Sequence, residues 1–125
     1  MKTLPQELLE AWNKRSGPVI LSTVDANGAP NAIYATCVGA YGDDGLVVAD
    51  NYFEKTRANI KAGSAGSILF MTEDNKAYQA KGRIEYHISG PVFDSMKVWN
   101  PVQHPGNAAA LLRVEAAFSG ARQLS

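Results

Sequence analysis

The segment Lys76-Ala77-Tyr78-Gln79-Ala80-Lys81-Gly82-Arg83-Ile84-Glu85-Tyr86-His87-Ile88 decides the fold. It is long for a strand and carries a glycine in its interior, where a missing side chain marks a bulge or bend of the kind that curves a sheet. A curved sheet points to a barrel. The polar turn Glu73-Asp74-Asn75 precedes it, and a further strand is expected before that turn, over 66–72. On the other side, Ser89-Gly90-Pro91 has the form of a helix start with proline at the first helical position. Val92, Phe93, Met96 and Trp99 continue at helical spacing until Asn100-Pro101 stops the helix. A loop through His104-Pro105-Gly106 then leads to a last strand over 108–118, followed by a polar tail to Ser125.

Toward the N-terminus, Leu8, Leu9 and Trp12 give a short amphipathic helix between about 5 and 14. The β-branched and apolar run 18–24 is a strand, closed by the hairpin turn Asp25-Ala26-Asn27-Gly28. A second strand is expected over 31–41, ended by Gly42-Asp43-Asp44-Gly45, and a third over 46–49. A short helix over 55–62 ends at Gly63, a favoured cap. The order βββαββαβ with short turns predicts a mainly antiparallel, six-stranded small barrel with two or three short helices, in one domain spanning 1–125.

At 125 residues with 46% hydrophobic and 19% charged content, the chain is large enough for a real core and below the size at which chains divide. Twelve basic residues balance twelve acidic ones without a basic stripe, which removes the attraction that nucleic acid or an anionic membrane needs. No apolar run approaches a membrane span, and the N-terminus has no signal core, so a cytoplasmic protein is expected. A single cysteine, Cys37, excludes an intrachain disulfide and a multi-cysteine zinc site. Its apolar strand favours packing over redox chemistry. His87 and His104 are isolated in sequence, so no metal site is expected.

The functional signal lies in Ala49-Asp50-Asn51-Tyr52-Phe53-Glu54-Lys55-Thr56-Arg57-Ala58-Asn59-Ile60, which runs from the end of an apolar strand through a polar and aromatic elbow into a helix. Lys55 and Thr56 in the first turn of that helix make a plausible phosphate seat beside its unpaired N–H groups. Asp50, Asn51 and Tyr52 stand where they can line one edge of a planar, hydrogen-bonding ring, and Asp50 can equally be a turn cap. Together these features suggest a phosphorylated aromatic cofactor. Phe53 suits the core as well as a site, and the acidic turns at 43–44 and 73–74 suit solvent.

The elbow, the order of elements and the turn positions resemble the FMN-binding split β-barrel family, which includes pyridoxamine 5'-phosphate oxidase and the small bacterial FMN-binding proteins. The oxidase pattern threonine, asparagine, tyrosine, any residue, serine, arginine, lysine stands here as Asp50, Asn51, Tyr52, Phe53, Glu54, Lys55, Thr56. The lysine-threonine pair followed by Ala58-Asn59 is closer to the small FMN-binding proteins. A second match is Gly28-Ala29-Pro30-Asn31-Ala32-Ile33, where the oxidases carry a phosphate-gripping arginine at the position of Ile33.

The resemblance implies a split barrel binding FMN at a homodimer interface. Tyr34, Ala35 and Thr36 would run beside the flavin ring, with Ala49, Asp50, Asn51 and Tyr52 at the elbow and Lys55 and Thr56 at the phosphate. Gln79 and Trp99 would come from the partner chain. The tail 117–125 holds one arginine and no histidine, which speaks against oxidation of pyridoxine phosphates. No side chain stands out as a general acid, base or nucleophile with a positioned partner, so no catalytic residue is assigned. The implied activity is electron transfer or flavin-dependent reduction, with an electron donor and acceptor that the residues do not specify. The alternatives are a cofactor-binding module without turnover, and a barrel that takes deazaflavin cofactor F420 or haem.

Overall fold

The computed structural model describes residues 3–124. Helix α1 (Gln6–Asn13) buries Leu8, Ala11 and Trp12. The strands are β1 (Arg15–Val24), β2 (Pro30–Ala35), β3 (Val38–Tyr41), β4 (Gly45–Asp50), β5 (Ala65–Thr72), β6 (Ala77–His87), β7 (Ala108–Ser119) and β8 (Arg122–Leu124), with α2 (Lys55–Lys61) after β4 and α3 (Pro91–Trp99) after β6. All neighbours are antiparallel, in the order β2-β1-β5-β6-β7-β4-β3, and β8 pairs with β7 beside that path.

The eight strands correct the expected six in two places. The apolar run 31–41 is two strands, because β2 pairs with β1 whereas β3 pairs with β4. The sequence has no turn residue at this division; tertiary pairing imposes it. Only Thr36 and Cys37 separate β2 from β3, yet these strands lie at opposite ends of the sheet path. A two-residue link spans roughly 10 Å from flank to flank, so the sheet must curl until its edges approach. The result is a split barrel. The second correction is the tail, where Gly120 (φ 59°) turns the chain and 122–124 return as β8 on β7. Ser125 lies outside the described residues.

Gly82 sits at a register shift of the β6–β7 ladder. A Cβ there would overlap the Arg113 carbonyl, so only glycine lets the two strands approach this closely. The hairpin after β1 is held by Asp25 Oδ1, which accepts from the N–H groups of Asn27 and Ala29 (both 2.9 Å), with Gly28 at φ 82°.

Strand β4 and the first five residues of β7, 108–112, are buried on both faces and divide their side chains between two cores. Leu46, Val48, Leu112 and Val114 point into the barrel with Leu8, Trp12, Leu21, Ile68 and Phe70. Val47, Ala49, Ala109 and Leu111 face the other way, against Val92 and Met96 of α3. Each buried Leu or Ile stabilises the fold by about 1.5–3 kcal/mol, so the elbow at the end of β4 grows from the most constrained part of the molecule. No helix among the described residues is long and apolar enough to cross a membrane.

Candidate functional site

The elbow is shaped by a buried carboxylate. Asp50, the last residue of β4, is fully buried. Its Oδ1 accepts from the Phe53 N–H (3.0 Å) and from Arg57 Nη2 (2.9 Å), and its Oδ2 accepts from Arg57 Nε (2.8 Å) and the Tyr86 hydroxyl (2.5 Å). These bonds fold 50–53 back on itself and tie the start of α2 to β6. Hydrogen bonds to Asp50 and Tyr86 hold the Arg57 guanidinium charged far above its ordinary value. Burial first, and then the bond to Asp50, push the Tyr86 phenol up. Of the two roles expected for Asp50, its bond from the Phe53 N–H is that of a turn cap; its side-chain oxygens are occupied by groups of the fold, and it does not line the cavity described next.

Beside the elbow lies a cavity of about 410 Å³. Of the residues singled out from sequence, Tyr34, Ala35, Thr36, Ala49, Asn51, Tyr52, Lys55 and Thr56 line it. One wall is β2, an edge strand of the sheet path, so one row of its backbone N–H and C=O groups has no strand partner among the described residues. Tyr34 and Tyr52 stand out into solvent at 76% and 70% exposure, two aromatic surfaces flanking the opening. Thr56 is buried at the floor, where its Oγ1 accepts from Asn31 Nδ2 (3.0 Å). That bond uses a lone pair of the hydroxyl and leaves its proton free to donate. Lys55 beside it is exposed. Helix α2 has only seven residues, so the anion-binding character of this corner rests on Lys55 and Thr56 more than on a helix dipole. Glu54, also on the lining, sets a negative charge next to Lys55 and reduces the positive potential there.

Gln79 and Trp99 do not line the cavity of their own chain. Gln79 faces a second, open groove on the outer sheet surface, beside Ser67 and Lys81. Trp99 is half-buried against the α3 core and lies over Gly39, where a Cβ would stand 3.0 Å from the indole.

Four lining residues escaped the sequence reading as site residues, Ile33, Cys37, Glu54 and His104, and Phe53, expected to suit the core as well as a site, is buried and lines the cavity too. Ile33 and Cys37 follow from the alternation of β2 and the break after it. His104 comes from a loop 52 residues away, and its Nδ1 lies 3.1 Å from the Tyr52 hydroxyl, with the two rings edge to face at 5.6 Å. Among the described residues no group of three or more His, Cys, Asp or Glu side chains is arranged to hold a metal ion.

The family model described as pyridoxamine 5'-phosphate oxidase matches residues 4–120. No curated protein matches the sequence. Among solved structures, HupZ of Group A Streptococcus superposes with a TM-score of 0.79 at 24% identity, covering 94% of each chain. An FMN-binding protein of Syntrophomonas wolfei superposes with a TM-score of 0.77 at 23% identity, over 92% of this chain and 87% of that one. HutZ, the haem storage protein of Vibrio cholerae, superposes with a TM-score of 0.66 at 17% identity, over 94% of each chain. At these identities the likeness is one of fold.

Proposed function

This chain belongs to the pyridoxamine 5'-phosphate oxidase family, and we propose that it is a flavoprotein that holds FMN non-covalently at a homodimer interface and uses it in electron transfer or flavin-dependent reduction. The observation that carries this reading is the convergence on one cavity of a cation, an oriented hydroxyl and an unpaired strand edge, from Lys55, Thr56 and β2. A phosphorylated planar ring needs that combination. Lys55 pairs with the phosphate, and Thr56, held by Asn31, donates to one of its oxygens. The free backbone edge at 34–36 meets the polar rim of the ring, and the Tyr34 and Tyr52 side chains shield it from water. FMN, when bound, supplies a ring that takes up and passes on electrons.

A second copy of the chain has a surface to cover. Tyr34, Ile20, Leu69, Gln79 and Phe118 are cross-strand neighbours in register, and so form one row across the outer face of β2, β1, β5, β6 and β7. Four of the five are apolar, and Leu69 is 39% exposed. The row begins at Tyr34 on the cavity and includes Gln79, in keeping with a partner that contributes Gln79, and Trp99 with it, to the neighbouring site. Oxidation of pyridoxamine phosphate is not proposed, because the one arginine of the C-terminal segment, Arg122, is paired with Glu7 at 2.6 Å.

The test is ligand binding by the Lys55→Ala variant. A charge-assisted phosphate bond is worth about 1.5–3 kcal/mol, so FMN affinity should fall roughly 10- to 100-fold while riboflavin affinity holds. Equal losses for both ligands would reject the seat. His104 on the cavity wall is the one observation that favours haem instead, and haem bands in place of flavin bands in the absorption spectrum of the purified protein would select that reading.

A further inference from the structure

Asn51 lines the cavity, and its amide makes three hydrogen bonds within the protein. Nδ2 donates to Asn100 Oδ1 (3.0 Å), and Oδ1 accepts from Asn100 Nδ2 (2.9 Å) and from the Gly106 N–H (2.9 Å). Asn51 is 9% exposed and Asn100 8%, so the reciprocal pair is closed to water. The backbone extends the same contact: the Asn107 N–H donates to the Asp50 carbonyl (2.8 Å) and Asn107 Nδ2 to the Asn51 carbonyl (3.3 Å). From the other side Lys97 Nζ donates to the carbonyls of Pro105 (3.0 Å) and Gly106 (3.3 Å). Gly106 has φ 55°, a backbone angle that favours glycine, and a Cβ on it would stand 3.0 Å from Asn100 Nδ2 and 2.9 Å from Lys97 Nζ, so a side chain there would be strained and would displace the Lys97 ammonium.

A buried polar pair is unfavourable unless every group finds a partner, and when complete it admits one arrangement only. An apolar contact would bury the same surface without that selectivity. The arrangement selected here presses the loop 101–106 onto the elbow and brings His104 to Tyr52, the contact that puts an imidazole on the cavity wall. The second histidine, His87, is bonded to Glu85 on another part of the sheet and has no place in it.

We propose that Asn51 and Asn100 are positioning residues that seat the 101–106 loop as a wall of the cavity, and that His104 is the residue of this loop that contacts the bound ligand. The second half rests on the FMN reading; the first half does not. The experiment is a double-mutant cycle on the full chain, with FMN affinity measured for the wild type, His104→Ala, Asn100→Ala and the double variant. Hydrogen exchange of the Gly106 amide is followed in the same ligand-free proteins. Each single variant should bind FMN roughly three- to tenfold more weakly, the range of one neutral hydrogen bond. The double variant should be no weaker than the weaker single, because both remove the same contact. The Gly106 amide should exchange faster in Asn100→Ala and unchanged in His104→Ala.

Wild-type affinity in His104→Ala, or losses that multiply in the double variant, would overturn the proposal. A wild-type chain that fails to bind FMN removes the functional reading and with it the His104 contact. The seating of the loop is then decided on ligand-free protein by ring-to-ring proximity of Tyr52 and His104 in NMR spectra: its loss in Asn100→Ala supports the positioning role, and its retention refutes it. If Asn100→Ala does not fold, Asn100→Ser, which keeps a hydroxyl at the site, takes its place in each comparison.

Discussion

Replacing Arg57 with leucine tests whether the elbow is held by a buried charge. Asp50 has no exposed surface, and two of its four hydrogen bonds come from Arg57. Leucine keeps much of the aliphatic bulk and removes both donors and the positive charge, so a carboxylate stays behind with only the Phe53 N–H and the Tyr86 hydroxyl. Removing one partner of a buried ion pair costs about 3–5 kcal/mol. The Arg57 side chain is 31% exposed, so water can reach the vacated position, which places the expected loss near the lower end, about 3 kcal/mol. A domain of this size loses about 4 °C of Tm per kcal/mol. Arg57→Leu should therefore melt roughly 12 °C below the wild type by calorimetry or circular dichroism. The double variant Asp50→Asn/Arg57→Leu should recover part of that loss, because the charge that needed the arginine is gone. A drop of less than about 4 °C in Arg57→Leu, or a double variant less stable than the single one, would refute the account.

Gly82→Ala should lower the midpoint of urea unfolding by the equivalent of about 1–3 kcal/mol, because its methyl meets the Arg113 carbonyl. Gly66→Ala, whose methyl meets the movable end of Ile84, should lose less in the same assay. Glu85 supplies a pH test. Desolvation raises its pKa, but the hydrogen bonds from His87 and Arg113 and the Arg113 charge outweigh it, and the carboxyl sits below its ordinary value of 4.5 in the folded protein. The stability this adds is present above the ordinary carboxylate range and is lost as pH falls through the lowered folded value. Being about one-third exposed, the group contributes on the order of 0.5 kcal/mol. Glu85→Gln should thus be slightly less stable than the wild type at neutral pH, with the gap closing in acid; a gap that widens in acid would reverse the assignment.

The local parts of this molecule were legible in its sequence. The strand, elbow and helix from Ala49 to Ile60 are contiguous, so Lys55, Thr56 and Tyr52 were bound to lie near one another, and Gly82 marked its own bulge. What could not be read depends on partners far along the chain. The division of 31–41 into β2 and β3 has no turn signal, since it is imposed by pairing with β1 on one side and β4 on the other. Asp50 was legible as a turn cap but not as a buried carboxylate, which needs Arg57 and Tyr86, seven and 36 positions away, to close around it. His104 was isolated in sequence, and its approach to Tyr52 goes with bonds between its loop and residues as distant as Asn51, 55 positions from Gly106.

The two-residue link at Thr36 and Cys37 gives the barrel a seam. Most cylinders are closed by a ladder whose rungs must all break together; here the two margins are joined by a covalent thread, and among the described residues each pairs with one strand, its inner neighbour. Opening by thermal breathing is therefore concentrated along this line, while the five-strand interior of the path can stay zipped. The cavity lies beside the seam, between Ala35 and Thr36 at the end of β2 and Ala49 and Tyr52 at the elbow after β4. A ligand that fills it would work as a clasp, fastening the β2 margin to the elbow and slowing the first step by which the cylinder comes apart.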